Sequence, residues 1–234
     1  PEMIIGTLHD DEAADRKVAE CCRIAKVLHD LKTARIGHIG HPIEAMLDMH
    51  SDATMLTAFF SAHIVQCEAH EIVSGYEAAN DETVAQIKED ILGFFDAPDP
   101  STDPIAEKLN EADLETAARA TVALQQFVEK KGLDGLAYYY EGEENTLTRL
   151  VMSNLIVGNS LLTSRGFPMC GESDLKTCFA MFIMDRLGIG GSFAEFHPVD
   201  FKEGFVLVGH DGPHNIAIAN GKPVLRSLQK YHGK

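Results

Sequence analysis

Apolar residues recur along this chain at two alternating kinds of spacing, which predict helices and strands in turn. Spacings of three and four residues predict helices at residues 10–31, 52–62, 84–95, 114–131 and 174–187. A stretch that is mostly apolar on all sides predicts a buried helix at residues 147–162. Short apolar runs bounded by glycine, proline or charged residues predict strands at residues 34–40, 63–68, 136–140 and 167–171. Beyond these, two β segments without a helix between them are predicted at residues 192–196 and 205–210.

The alternation of strands and helices predicts an α/β fold, with a Rossmann-like, flavodoxin-like parallel sheet and helices on both of its faces. We expect this central domain to span residues 34–187. Residues 1–33 are predicted to be a helix or a connection from another domain, and residues 188–234 to be a β segment that opens a further domain. A proline- and aspartate-rich stretch at residues 96–104 predicts an exposed connection.

The same periodicity predicts which helix side chains face the core. In the first helix they are Val18, Cys21, Ala25 and Leu28. In the second helix, which Asp52 is expected to cap, they are Leu56, Phe59 and Phe60.

Composition narrows the possible functions. The 234 residues include 20 Lys and Arg against 36 Asp and Glu, which gives a net charge of −16. A nucleic-acid-binding protein needs a basic face and an anionic membrane attracts basic segments, so we expect neither partner. The sequence contains five cysteines, an odd number, and no C-x-x-C motif, which favours a reduced, cytoplasmic protein.

Three ionisable residues stand out because they lie at or near the ends of apolar segments. Glu172 follows the predicted fourth strand, Glu195 lies in a phenylalanine-flanked β segment, and His210 ends the last β segment. Ligands of open parallel sheets gather at the carboxyl ends of the strands, and burying such groups is costly unless something pairs with them. Two carboxylates and an imidazole suit a hard or borderline divalent cation, so these residues form a candidate metal site.

Each of the three residues also has a simpler interpretation. Glu172 suits the start of the helix that follows it through the helix dipole, and Glu195 suits a solvated strand face. His210 is equally compatible with an ordinary hydrogen-bonded histidine. His214, four residues further on, and His197, on the other β segment, compete with it as ligands.

Several short segments carry a resemblance to a known family. GLDGLAYYY at residues 132–140, VGNSLLT at 157–163 and GESDLKT at 171–177 are followed by SFAE at 192–195 and VGH at 208–210. In this order and spacing they resemble the L-arabinose and L-fucose isomerase superfamily, and the arabinose isomerase branch most closely. The upstream RIGHIGHP also resembles the start of that family's central domain.

The resemblance implies a metal-dependent aldose–ketose isomerase that works by enediol proton transfer on a small sugar. It implies that Glu172 and Glu195 are both acid/base residues and metal ligands, and that His210 is a further ligand. The implied ion is Mn²⁺ or another divalent cation such as Mg²⁺ or Co²⁺. Lys176 is expected either to neutralise part of the carboxylate charge or to face solvent. The family forms homo-oligomers, either trimers or hexamers.

Two parts of the family pattern have no match here, namely an N-terminal domain and a fourth ligand, a histidine in a C-terminal β domain. We therefore expect the sequence to be a piece of a longer polypeptide that by itself holds Mn²⁺ weakly and lacks isomerase activity. The alternative from another functional class is a non-catalytic sugar- or effector-binding module. A plain structural domain with a solvated acidic pair is a third possibility.

Overall fold

A computed structural model describes residues 3–7, 9–43, 46–97, 101 and 109–227 of the chain. The helices in these residues are α1 (Glu12–Leu31), α2 (Ala53–Phe60), α3 (Ala69–Ala78), α4 (Asp81–Phe94), α5 (Glu111–Lys131), α6 (Leu147–Ser153), α7 (Ile156–Ser164) and α8 (Leu175–Arg186). The strands are β1 (Arg35–Gly40), β2 (His63–Cys67), β3 (Gly135–Tyr139), β4 (Met169–Cys170), β5 (Glu195–Asp200) and β6 (Phe205–Gly209). Short 3₁₀ turns lie at Leu47–Met49 and Ile216–Ile218.

Four strands form a parallel sheet in the order β2-β1-β3-β4. The remaining two, β5 and β6, pair antiparallel to each other. This is a Rossmann-like α/β architecture with a small antiparallel sheet after it, which confirms the predicted fold class. Because all four strands of the main sheet run the same way, their carboxyl ends meet at one edge.

Alternate residues of the central strands face opposite sides of the sheet, and each side is covered by helices. On β3, Leu136 packs into a cluster with residues of α3, α5 and α6. Its neighbour Ala137 packs into a second cluster with residues of α1, α2 and α8. In that second cluster the ring of Phe60 stacks on Phe179 at 4.6 Å between centroids. Burying a side chain such as Phe179 stabilises the fold by roughly 2–3 kcal/mol.

Side-chain and glycine caps fix the helix ends that position the sheet edge. Asp52 accepts hydrogen bonds from the backbone N–H groups of Thr54 and Met55 at the start of α2, as predicted. Asp174 does the same for Thr177 at the start of α8. Gly132 ends α5 at φ 59°, a left-handed conformation that favours glycine.

The side chains that α1 buries differ from those predicted. Its buried residues are Val27 and Leu31, near its C-terminal end, whereas Val18 and Leu28 are 49% and 57% exposed. The prediction that Val18 and Leu28 face the core is therefore wrong. Phe59 of α2, also expected inside, is 77% exposed. Periodicity identifies an apolar stripe, but it does not say how much of the helix reaches the core.

The single helix predicted at residues 147–162 is divided into α6 and α7. At the break, the side-chain amide of Asn154 and the hydroxyl of Ser153 both donate to the carbonyl of Leu150, at 2.8 Å and 3.1 Å. These side chains compete with the backbone for the helix carbonyl, which explains the interruption.

The predicted connection at residues 96–104 falls only partly on described residues, since 98–100 and 102–104 lie outside them. Asp96 is exposed, and it forms a parallel bridge with Val224. Its backbone N–H donates to the carbonyl of Pro223 at 2.9 Å, and Lys222 pairs with its carboxylate at 2.8 Å. Of the helices described, none is sufficiently long and apolar to cross a membrane. The expected division into three domains stays a prediction.

Candidate metal centre

Glu172 lies in a tight turn at the carboxyl edge of the sheet, between β4 and α8. It and the next residue, Ser173, adopt left-handed backbone conformations, with φ of 57° and 59°. Such conformations cost non-glycine residues about 1–3 kcal/mol each and persist only where the surroundings hold them. The turn thus projects the Glu172 side chain from the sheet edge at an energetic cost.

The hairpin of β5 and β6 brings Glu195 and His210 together. Glu195 begins β5 and pairs in register with Gly209, the last residue of β6, so that His210 follows directly beside it. Oε2 of Glu195 lies 3.6 Å from Nδ1 of His210. The antiparallel register therefore places a carboxylate and an imidazole next to each other, although 14 residues separate them in the sequence.

The sheet edge and the hairpin meet at a group formed by Glu172, Glu195 and His210. One potential ligand atom from each residue lies within 4.8 Å of the others. Oε2 of Glu172 and Nδ1 of His210 are buried and have no hydrogen-bond partner. Buried polar atoms normally have partners, so these two leave a donor or cation unaccounted for. The structure thus brings together the three predicted ligands, and their role as ligands stays a prediction.

The electrostatics of the group favour an added positive charge. Burial raises the pKa of the Glu172 carboxyl to about 7, and the neighbouring negative charge of Glu195 contributes next. Asp174 and Asp48 raise the same pKa further. Burial lowers the pKa of His210 despite the adjacent Glu195, which keeps the imidazole neutral and able to donate a lone pair.

Close packing fixes the ring of His210, whose side chain is 7% exposed. The ring of Phe193 meets it edge-on, with centroids 4.5 Å apart. A Cβ added at Gly212 would lie 2.8 Å from Nε2 of His210, a distance that real Cβ atoms do not tolerate. The absence of a side chain at residue 212 therefore leaves room for the imidazole.

The two competing histidines do not join the group. Nε2 of His214 lies 2.8 Å from the carbonyl oxygen of His210, and its Nδ1 faces the hydroxyl of Ser192 at 3.5 Å. Its ring nitrogens thus face hydrogen-bonding partners, and His214 braces the loop after β6. Nε2 of His197 lies 4.0 Å from Glu195 on a side chain that is 42% exposed. Of these three histidines, His210 is the one that lies in the group with Glu172 and Glu195.

The Lys176 side chain is 44% exposed, as its solvent-facing interpretation predicts, and its ammonium nitrogen lies 3.8 Å from Oδ1 of Asp174. It also makes contacts that neither interpretation predicted. Its ammonium group donates to the carbonyls of Asp48 and His50 at 2.6 Å and 2.9 Å, and to the hydroxyl of Ser51 at 3.0 Å. It therefore fastens the loop that precedes α2 to the first turn of α8. This loop places Asp48 close enough to influence Glu172.

His38 and Ser173 form a hydrogen-bonded pair that was not predicted. His38, expected to be a loop or core histidine, lies in β1, and its Nε2 is 2.7 Å from the hydroxyl of Ser173. The two residues are 135 positions apart, so no local spacing connects them. The available signal was that His38 lies near the carboxyl end of one predicted strand and Ser173 follows shortly after another.

No protein-family model matches the chain, and no curated protein matches it significantly.

Proposed function

We propose that this chain carries the metal-binding and proton-transferring residues of a divalent-metal-dependent aldose–ketose isomerase. The observation that carries the proposal is the convergence of Glu172, Glu195 and His210, two of which present buried ligand atoms without a partner. Its second support is the resemblance of several segments to the arabinose and fucose isomerases. The sheet edge where the group lies is where α/β proteins bind small ligands.

The three side chains fit a divalent cation. Two carboxylates and a neutral imidazole supply the oxygen and nitrogen atoms that Mn²⁺, Mg²⁺ and Co²⁺ accept. A cation there would also offset the negative charge that raises the pKa of Glu172. Glu172, Glu195 and His210 would hold it, and when bound it would polarise a substrate carbonyl and stabilise the negative charge that develops on the oxygen.

The chain's own residues are suited to moving the proton. Aldose–ketose interconversion removes a proton from one carbon and returns it to the adjacent carbon, so one group must act as base and then as acid. A carboxylate placed beside the two carbons can take the proton from one and return it to the other. We assign this role to Glu172 or Glu195, whose carboxyl groups lie at the same point of the sheet edge. His210 has a lowered pKa and serves as a neutral ligand.

Titration calorimetry with Mn²⁺ tests the metal site. We expect one ion per chain for the wild type, and loss of binding in both Glu172→Gln and Glu195→Gln. Glu203→Gln is the matched control, because Glu203 is an exposed glutamate on the same hairpin and outside the group. A chain that takes up no Mn²⁺ would favour the non-catalytic binding module.

A sugar panel tests the reaction. The full-length gene product is incubated with aldopentoses and aldohexoses in deuterated water and Mn²⁺, and NMR follows ketose formation and deuterium at the reacting carbons. We expect turnover of at least one sugar and its loss in Glu172→Gln. An inactive full-length protein that nevertheless binds Mn²⁺ would contradict the isomerase assignment and leave the metal site standing.

We also propose a cellular compartment and an oligomeric state for the protein. The five cysteines are free thiols, which suits a reducing compartment such as the cytoplasm. The resemblance also implies a homo-oligomer, a trimer or hexamer. Light scattering of the full-length protein measures that state directly.

A further inference from the structure

A chain of hydrogen bonds runs beneath the turn that carries Glu172. Gln66 of β2 and His38 of β1 are register partners, and Nε2 of Gln66 lies 3.2 Å from Nδ1 of His38. On its other side, Nε2 of His38 lies 2.7 Å from the hydroxyl of Ser173. That hydroxyl also lies 3.3 Å from the carbonyl oxygen of Ile39. The chain thus links two strands to the residue that follows Glu172.

The donors and acceptors fix the direction in which each of these hydrogen bonds is donated. The amide nitrogen of Gln66 only donates, so Nδ1 of His38 accepts and the ring proton of the neutral imidazole lies on Nε2. Nε2–H then donates to the hydroxyl of Ser173, which in turn donates to the carbonyl of Ile39. Burial lowers the pKa of His38, which agrees with a neutral ring.

This direction does not suit a nucleophilic role for the serine. In a catalytic Ser–His pair the imidazole accepts the serine proton, whereas here it donates to the serine oxygen. Ser173 is also 1% exposed, which leaves a substrate no access to its hydroxyl. The pair therefore serves the structure around it.

His38 and Ser173 together hold a turn whose backbone is strained. Glu172 and Ser173 both have positive φ, and Ser173 is fastened by a third hydrogen bond, from its backbone N–H to the carbonyl of Tyr138 at 3.1 Å. Together these bonds tie Ser173 to β1 and β3. Because Glu172 is the preceding residue, fixing Ser173 also restrains the backbone from which the Glu172 side chain projects.

We infer that Gln66, His38 and Ser173 form a positioning relay that holds Glu172 beside Glu195 and His210. The inference rests on the proposed function for its consequence, since correct placement matters most where one ion must touch all three groups. The relay residues act through the turn, and they are positioning residues. Without the relay, the turn is expected to relax toward ordinary backbone conformations and to withdraw the carboxylate from the group.

Paired substitutions at His38 test the relay. His38→Leu removes the ring donors at similar size, whereas His38→Gln restores a donor that reaches Ser173. We expect His38→Leu and Ser173→Ala to weaken Mn²⁺ binding about tenfold or more, as the loss of partners that orient metal ligands does. His38→Gln should stay within about threefold of the wild type. His63→Leu, the same change at the exposed start of β2, is the matched control and should leave binding unchanged.

Two measurements distinguish a failure of the relay hypothesis from a failure of the proposed function. Thermal unfolding separates a general loss of stability, which lowers the melting temperature alone, from a loss of Mn²⁺ affinity in a folded protein. Crystal structures of metal-free wild type and His38→Leu show whether the three ligand atoms move apart beyond 4.8 Å. If the wild type binds no Mn²⁺ but the group opens in His38→Leu, the proposed function fails and the relay stands. Unchanged geometry in His38→Leu overturns the relay, and so does an unchanged Mn²⁺ affinity in His38→Leu where the wild type binds the ion.

Discussion

Acidification should weaken Mn²⁺ binding through one carboxyl group. The pKa of Glu172 is raised to about 7, so this ligand is largely protonated at pH 6 and largely ionised at pH 8. A cation binds the ionised form, and protons therefore compete with the metal. An ordinary glutamate, with a pKa of 4.5, would be ionised across the whole range and would produce no competition.

The magnitude follows from the fraction of Glu172 that is ionised. With a pKa of about 7, the apparent affinity at pH 6 should be about tenfold below that at pH 8. Binding at pH 6 should also release close to one proton, and binding at pH 8 close to none. The lowered pKa of His210 keeps that ligand's share of the effect small.

Calorimetry measures both quantities. Titrations at several pH values give the affinity, and repeating each in buffers of different ionisation enthalpy gives the number of protons released. Glu203→Gln should reproduce the wild-type profile, because its carboxylate is exposed and outside the group. An affinity that is flat between pH 6 and pH 8, without proton release, would refute the assignment of a buried, charge-crowded Glu172 as a ligand.

Two substitutions test the energetics of the same group. Because the pKa of Glu172 is raised in the folded protein, Glu172 favours folding fully below about pH 4.5, and this contribution is lost as the pH rises through about 7. At pH 8 the folded protein must hold the carboxylate ionised, so Glu172→Gln should stabilise the metal-free protein there by up to about 3 kcal/mol. Denaturant unfolding at pH 5 and pH 8 measures this, and an equal stability at pH 8 would contradict it. Gly212→Ala, whose Cβ would lie 2.8 Å from Nε2 of His210, should weaken Mn²⁺ binding about tenfold with the fold retained. In the control Gly93→Ala, the added Cβ meets no atom within 4 Å and should stabilise α4 by about 0.5–1 kcal/mol. An unchanged Mn²⁺ affinity in Gly212→Ala would contradict the steric argument.

Elements whose signals are local were predictable from the sequence. Each of the four parallel strands coincides with a short apolar run in the sequence. Asp52 caps α2 and Gly132 ends α5, as their residue types indicate. α3 was missed because its capping residue, Glu68, is not a preferred helix start. The signal was present in Glu71, whose side chain accepts from the backbone N–H of Glu68 at 3.3 Å.

For the candidate site, only the positions that follow from the order of the strands could be predicted. Glu172 could be placed at the carboxyl edge because it follows a strand, and His210 could be placed near Glu195 once the two β segments were taken as a pair. The partners of His38 and Lys176 could not be predicted, because each bonds to residues more than a hundred positions away. Such contacts depend on how strands and loops pack, and this leaves no periodic pattern in the sequence.

The energetics at Glu172 support the proposed ligand site over a solvated acidic pair. A solvated glutamate would relax into a favourable backbone conformation, keep an ordinary pKa and leave no polar atom without a partner. Glu172 departs from all three expectations, with φ of 57°, a pKa raised to about 7 and a buried oxygen that has no partner. Each departure is unfavourable in the metal-free protein, and a bound cation would relieve the last two. Strained and charge-perturbed groups of this kind concentrate at functional sites, which is why we favour a metal site over a structural explanation.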